Sequence, residues 1–368
     1  MLWPARGAWY AGSASGRRCA PALPALVDGD AVMPLFGYPP AVNVSQACRL
    51  SIRAFDFEAK VEREIEVEDL RAERDAGHFV WVDADVTDRK SAREFLSSLG
   101  LADAEVIQGA LGGAPTVHQV RFDDYLYLVL AGCRLEDGTM QLERLDVVVG
   151  DGYMLSFHTG SVQFLEALLK EYHADFVLYA KSPSFLMYEL WDHLTDNWVA
   201  AHAALSSQVS RLQEKLIHRF DDSVFGRVAE LNSDLLELRK ILVPAREVLS
   251  ELASRRSPFI SDETSPFLAN MAGTVARIVQ DLNVDRDILS DSVALYMSMI
   301  SYRTNRVMTR LTVVSVVFLP LMFLCGVYGM NFRVLPETTW KFGYLFFWIL
   351  ALTITGGLIA LLRRASRP

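Results

Sequence analysis

Cysteine is scarce in this chain, and metal-ligand spacing is missing altogether. The four cysteines, Cys19, Cys48, Cys133 and Cys325, form no C-x-x-C pair and have no histidine at ligand distance. That excludes a zinc knuckle and a disulfide framework and leaves unpaired thiols of a reducing compartment. A Gly-rich phosphate loop, a nucleophile motif and any grouping of nucleophile, base and oxyanion donors are also absent. The chain is therefore not read as an enzyme, and neither an organic cofactor nor a nucleic-acid partner is expected. Acidic residues are missing before Asp28, and Leu2 to Leu26 holds no unbroken apolar core of the kind a secretory signal needs. Residues 1–47 read as a disordered extension. Met33 is a candidate initiator, and an arginine-containing transit peptide is the weaker alternative.

Two further absences are more informative. No Asp, Glu, Lys, Arg or His occurs between Arg310 and Arg333, nor between Lys341 and Arg363. Each run matches the ~20 apolar residues a helix needs to cross a bilayer. Two buried helices of a soluble core are the alternative, but such helices seldom lack charge on every face. Arg303, Arg306 and Arg310 precede the first run and Arg363, Arg364 and Arg367 follow the second, so the positive-inside rule puts both termini in the cytoplasm of a cell (inner) membrane protein. Trp340, Tyr344 and Trp348 read as interfacial anchors at the outer end. The net charge of −9 then belongs to a large acidic cytoplasmic region above a basic collar.

Residues 48–182 read as an α/β (α+β) domain. Strand composition marks Ser51–Phe57, His78–Asp83, Thr116–Phe122, Tyr125–Cys133, Gln141–Val149 and Tyr153–His158. Glu136-Asp-Gly138 and Gly150-Asp-Gly152 are hairpin turns. Thr87-Asp88 opens a helix that continues to Leu99. His118 and His158 sit in strand sequence and read as structural. Residues 183–310 read as a helical stalk, with long helices over 183–254, broken or kinked at Pro244, and over 264–312, the second continuing into the membrane. The remaining assignments are a first span over 311–332, an outer loop over 333–341, a second span over 342–362 and a basic tail over 363–368.

Along the helix that enters the membrane, Asn305, Met308, Thr312, Ser315, Leu319, Met322 and Gly326 recur in steps of three and four, the seam of a parallel bundle. Its polar members suit a narrow central passage. Packing on the chain's own second span would give the same period.

The first span ends in Tyr328-Gly-Met-Asn-Phe332. Leu335-Pro-Glu337 and Trp340-Lys-Phe-Gly-Tyr344 follow it, and Thr304-Asn-Arg-Val-Met-Thr-Arg-Leu-Thr312 and Leu319-Pro-Leu321 precede it. This C-terminal third resembles the CorA family of divalent-cation channels, and Val243-Pro-Ala-Arg-Glu-Val248 resembles it more weakly. The resemblance implies a homopentameric funnel in a lipid membrane, an α/β domain on long stalk helices, a pore-lining first span and a second span outside it. It implies a selectivity filter of Gly329, Met330 and Asn331, where amide and carbonyl oxygens meet a magnesium ion that gives up its water reluctantly. Asn305 matches a polar inner ring, and Met308 and Leu311 match an apolar constriction. Leu319 and Gly326 fall at pore positions. Met322 departs from the family's frequent Thr, with Thr312 and Ser315 as alternative polar steps. Glu337 belongs to the outer loop, where the family's usual Met-Pro-Glu-Leu is Leu-Pro-Glu.

Asp281 and Asp285, like Asp287 and Asp291, are four residues apart, so each pair is expected to share a helix face. Two subunits bringing such faces together would hold a regulatory divalent ion. The family's stalk Asp falls on Ala294, and a solvated acidic face is the alternative. The expected function is influx of Mg2+, with Co2+ or Ni2+ possible, driven by the membrane potential and gated by internal Mg2+. The alternatives are a proton-coupled Zn2+ transporter of the same superfamily, disfavoured by Gly-Met-Asn and the loop, and a non-conducting sensor or scaffold.

Overall fold

The computed structural model describes residues 43–44, 48–136, 138–218, 224–255, 257–330 and 340–365. The expectation of a disordered 1–47 lies outside these residues, apart from the two-residue strand β1 (Asn43–Val44). The chain folds as two compact units, Met1–Leu212 with Asp221–Leu289, and Gln213–Phe220 with Ser290–Pro368.

The first unit is built on a mixed sheet. The next strands along the chain are β2 (Cys48–Asp56), β3 (Val61–Glu64) and β4 (Phe79–Val86). Then come β5 (His118–Arg121), β6 (Tyr125–Glu136), β7 (Thr139–Gly150) and β8 (Tyr153–His158). The sheet order is β1-β2-β4-β8-β7-β6-β5, with β3 also paired to β2. β4 and β8 run parallel, from Val80 opposite Tyr153 to Asp85 opposite His158, and the other described pairings are antiparallel. All six predicted strands are present. Both predicted hairpins turn through glycines of positive φ, Gly138 at 81° and Gly152 at 74°, where a side chain would be strained.

Helices cover both faces of the sheet, which accounts for the burial of all of β8, of β4 except Asp85, and of the first half of β6. On one face, α1 (Leu70–Asp75), α2 (Arg89–Ser98) and α3 (Ala104–Ala110) contribute Leu70, Leu96 and Ile107 to a core with Ile52, Val82, Val129 and Leu155. Asp88 caps α2 as its sequence predicts, its carboxylate accepting the Ser91 N–H at 2.9 Å. The other face receives α4 (Gln163–Tyr179), with Tyr172 and Phe176 edge-on to Trp81 and Phe55 at 5.9 and 5.3 Å.

Two long helices follow, α5 (Ser184–His218) and α6 (Val224–Ser254). Pro244 neither ends nor divides α6. Loss of one backbone N–H is outweighed there by the buried side chains of Ile241, Leu242, Ala245, Val248 and Leu249. α5 reaches the sheet through polar atoms as well. Asn197 exchanges two hydrogen bonds with the backbone of Cys133, and Trp198 Nε1 donates to the Ala131 carbonyl at 3.0 Å.

Helix α7 (Ser265–Tyr328) runs 64 residues without interruption, and α8 (Gly343–Ala365) is the last helix. The expectation that the stalk helix continues into the first apolar run holds. Both helices are long and apolar enough to cross a membrane, and almost none of either apolar segment is buried, unlike the core helices of a soluble protein.

Candidate ion-conduction site

In the membrane unit, burial separates two sides of α7. Val317, Pro320, Leu321, Leu324, Val327 and Tyr328 are half-buried, and their neighbours in this stretch are exposed. α8 carries the complementary stripe, Phe347, Leu350, Ala351, Ile354, Thr355, Leu358 and Leu362. Tyr328 and Phe347 close the end of the pair away from the stalk, edge-on at 5.3 Å. Spacings of three, four and seven on both helices are those of two helices packed along one seam.

The candidate pathway residues lie elsewhere on α7. Asn305, Met308, Leu311, Thr312, Ser315, Leu319, Met322 and Gly326 are all exposed, with Met308 at 57%, Leu319 at 65% and Met322 at 65%. At about 100° per residue, their mean direction is roughly 160° from that of the half-buried stripe. Of the two packings compatible with the period, the structure places the second span on the other side. The seam has no partner among the described residues of the unit. Thr312 Oγ1 donates to the Met308 carbonyl at 2.9 Å and Ser315 Oγ to the Leu311 carbonyl at 3.0 Å, so both hydroxyls are satisfied without a second helix.

α7 ends in a tight turn. Gly329 N donates to the Cys325 carbonyl at 2.9 Å and Met330 N to Val327 at 3.3 Å. A Cβ on Gly329 would stand 3.0 Å from the Cys325 carbonyl oxygen; close approach rather than positive φ explains this glycine. Met330 is 51% exposed. Asn331 and Glu337 lie outside the described residues. Trp340, just before α8, and Tyr344 and Trp348, in its first turns, are exposed.

The four aspartates of the stalk do not form two equivalent pairs. Asp281, Asp287 and Asp291 are exposed. Asp285 is 6% exposed, and its carboxylate lies 3.1 Å from His202 Nε2 and accepts from Ser206 Oγ at 3.1 Å, both on α5. Asp281 and Asp285, one turn apart on α7, thus differ in environment: Asp285 is buried against two polar partners on α5 and Asp281 is exposed. Sequence reading missed His202 since its partner is 83 residues away and no local pattern links them. Among the described residues, no group of three or more His, Cys, Asp or Glu could hold a metal within the chain.

The family model described as CorA-like Mg2+ transporter protein matches residues 76–364, covering the sheet from β4 onward, the long helices and both apolar helices. The chain belongs to the CorA family. Among CorA relatives, the cobalt/magnesium transport protein CorA of Thermotoga maritima is 30% identical over 226 residues, 61% of this chain and 64% of that protein. The aligned part thus spans just under two thirds of that relative's length. The zinc transport protein ZntB of Yersinia pseudotuberculosis is 25% identical over 297 residues, 78% of this chain and 87% of that protein. The complete structure of the CorA magnesium transporter from Methanocaldococcus jannaschii superposes with a TM-score of 0.75 at 19% identity, covering 86% of this chain and 98% of that one. The CorA fold therefore extends over the mixed-sheet domain, the long helices and the C-terminal apolar helix.

Proposed function

We propose that this CorA-family chain is a homopentameric channel admitting Mg2+, and with it Co2+ or Ni2+, down the membrane potential of a cell (inner) membrane. α7 lines the path, α8 packs outside it, and both termini are cytoplasmic. The observation carrying this reading is the unpartnered face of α7. It bears the eight residues expected along the path from Asn305 to Gly326, and the half-buried stripe that faces α8 is on the opposite side. Gly329, Met330 and Asn331 form the filter, with Glu337 in the loop beside it. Neutral oxygens hydrogen-bond a hydrated divalent ion without trapping it, which conduction requires. Met308 and Leu311 make the apolar constriction below. A divalent ion gains about 4.6 kcal/mol per 100 mV on entering a negative-inside cell, so no nucleotide is needed. Closure by internal Mg2+ would use the exposed Asp281, Asp287 and Asp291.

The test is Mg2+ influx into proteoliposomes under an inside-negative potential, comparing the wild type with Asn331→Ala. Potential-driven influx abolished by the substitution is the expected result, and influx unchanged in Asn331→Ala would remove the filter assignment. Similarity to ZntB over 78% of the chain favours a second reading, proton-coupled Zn2+ transport. That reading requires Zn2+ flux that follows a pH gradient in the same vesicles, with no Mg2+ flux.

A further inference from the structure

From Ser292 to Pro368 the chain has eight Lys or Arg residues and one acid, Glu337, although the whole chain carries −9. Three of the bases lie at one level of the two apolar helices. Arg306 and Arg310 are exposed on α7, and Arg306 lies over the ring of the exposed Tyr302, 5.9 Å from its centroid. Tyr302, Arg306 and Arg310 point, at about 100° per residue, the same way as the half-buried stripe that meets α8, roughly 160° from the conduction face. These arginines are thus turned away from the cation path. α8 brings the third. From Tyr328 back to Arg310 is about 27 Å of helix, and from Phe347 forward to the exposed Arg364 about 26 Å, at 1.5 Å per residue. Since Tyr328 and Phe347 touch, Arg310 and Arg364 come level again on the side of α7 that α8 covers, about one hydrocarbon thickness below. None of the three has an acidic partner among the described residues.

We propose that Arg306 and Arg310, with Arg364 level with them on α8, form a binding site for the phosphate of an anionic phospholipid of the inner leaflet, with Tyr302 at its lower edge. The inference rests on the reading of α7 and α8 as membrane spans. Guanidinium forks hold phosphate oxygens in pairs, acyl chains continue upward along the apolar sides of α7 and α8, and an amphipathic tyrosine suits the headgroup level. The occupant is a lipid and not free phosphate, because the cluster opens beside uncharged, exposed helix surface.

The test is native mass spectrometry of the full-length protein in detergent, titrated with phosphatidylglycerol or phosphatidylcholine, a readout independent of ion transport. Phosphatidylglycerol should remain bound in preference to phosphatidylcholine. Arg306→Gln with Arg310→Gln should weaken it roughly thirtyfold, about fivefold per charge. Arg306→Lys with Arg310→Lys should keep most of the preference for the anionic lipid, and Lys341→Gln at the other end of α8 should bind as the wild type does. Unchanged binding in the double Gln variant, an equal loss in Lys341→Gln, or displacement by inorganic phosphate at the same concentration as by lipid would each overturn the site. Absence of Mg2+ influx would leave these outcomes untouched.

Discussion

Asp285, buried, and His202, half-buried, pair between α7 and α5, with Nε2 3.1 Å from the carboxylate and side-chain exposures of 17% for His202 and 9% for Asp285. Ser206 binds the second carboxylate oxygen. Asp285 is therefore a structural residue in a stretch where sequence alone suggests an ion sensor. Asp285→Ala should cost about 1–3 kcal/mol, the penalty for leaving buried polar groups unpaired, read as a lower thermal midpoint of the full-length protein, with closure by internal Mg2+ retained. Neutralising Asp281, Asp287 and Asp291 together should do the reverse, leaving the midpoint nearly unchanged and weakening closure. Wild-type closure in that triple variant would rule the three residues out as the sensor.

Asn197 takes the part of a neighbouring strand. Its Nδ2 donates to the Cys133 carbonyl at 2.9 Å and its Oδ1 accepts the Cys133 N–H at 2.9 Å. Asn197→Ala leaves both backbone groups of a buried residue without a partner, at an expected cost of about 2–4 kcal/mol. Thermal unfolding followed by tryptophan fluorescence would measure it, and Trp198 in the next position reports on the same contact. A shift no larger than that of a surface alanine would contradict the account.

His158 has a side chain 1% exposed and faces Asp83 at 3.7 Å and Asp85 at 4.0 Å, with Nδ1 2.5 Å from the Gly160 carbonyl. Burial alone would lower its pKa. The attraction of Asp83, the Gly160 carbonyl and Asp85 together outweigh burial and hold it above the ordinary value. A raised folded-state pKa favours the protonated form in the fold. Its contribution is fully present below the unfolded histidine value of about 6.5 and is lost as pH rises through the raised one. The wild-type thermal midpoint should fall relative to that of His158→Gln on going from pH 6 upward. Parallel curves would show that the imidazolium contributes nothing.

Burial pushes the Cys48 thiol up to about 11 and the Cys133 thiol to about 12, with the charges of Asp85 and Glu143 adding to it. Thiolate is the reactive form. Neither cysteine should be alkylated at neutral pH while the domain is folded, and both should react in denaturant. Peptide mapping after a maleimide pulse decides the point.

The strands and both membrane helices were legible because their signals are local: alternation or unbroken apolar content in β2, β4 and β6, and charge-free runs in α7 and α8. Helix α4 shows why others were not. Its N-cap position is Val162, which makes no side-chain cap, and the Gln163 N–H is instead accepted by Glu143 on β7 at 2.6 Å. A start signal supplied from a strand twenty residues earlier has no sequence signature. β3 is similarly hidden, since three of its four residues are charged and it exposes most of its length. At the candidate site, period alone showed a seam but not its partner, because two helices on opposite sides of α7 leave the same three-four spacing. The partial burial of Leu321 and Leu324, against the exposure of Leu319 and Met322, decides which side α8 takes.

Thr312 and Ser315 each hand their single hydroxyl proton to a carbonyl one turn back. A hydroxyl has one proton to give, so what these two hydroxyls offer to the proposed conduction path is lone-pair density alone. A hydrated cation finds acceptors for its outward-pointing water protons there. A chloride ion, which must be met by donors, finds none. On the proposed path, discrimination by sign of charge would begin in these hydroxyl-to-carbonyl bonds of α7, one step before size or hydration energy is tested.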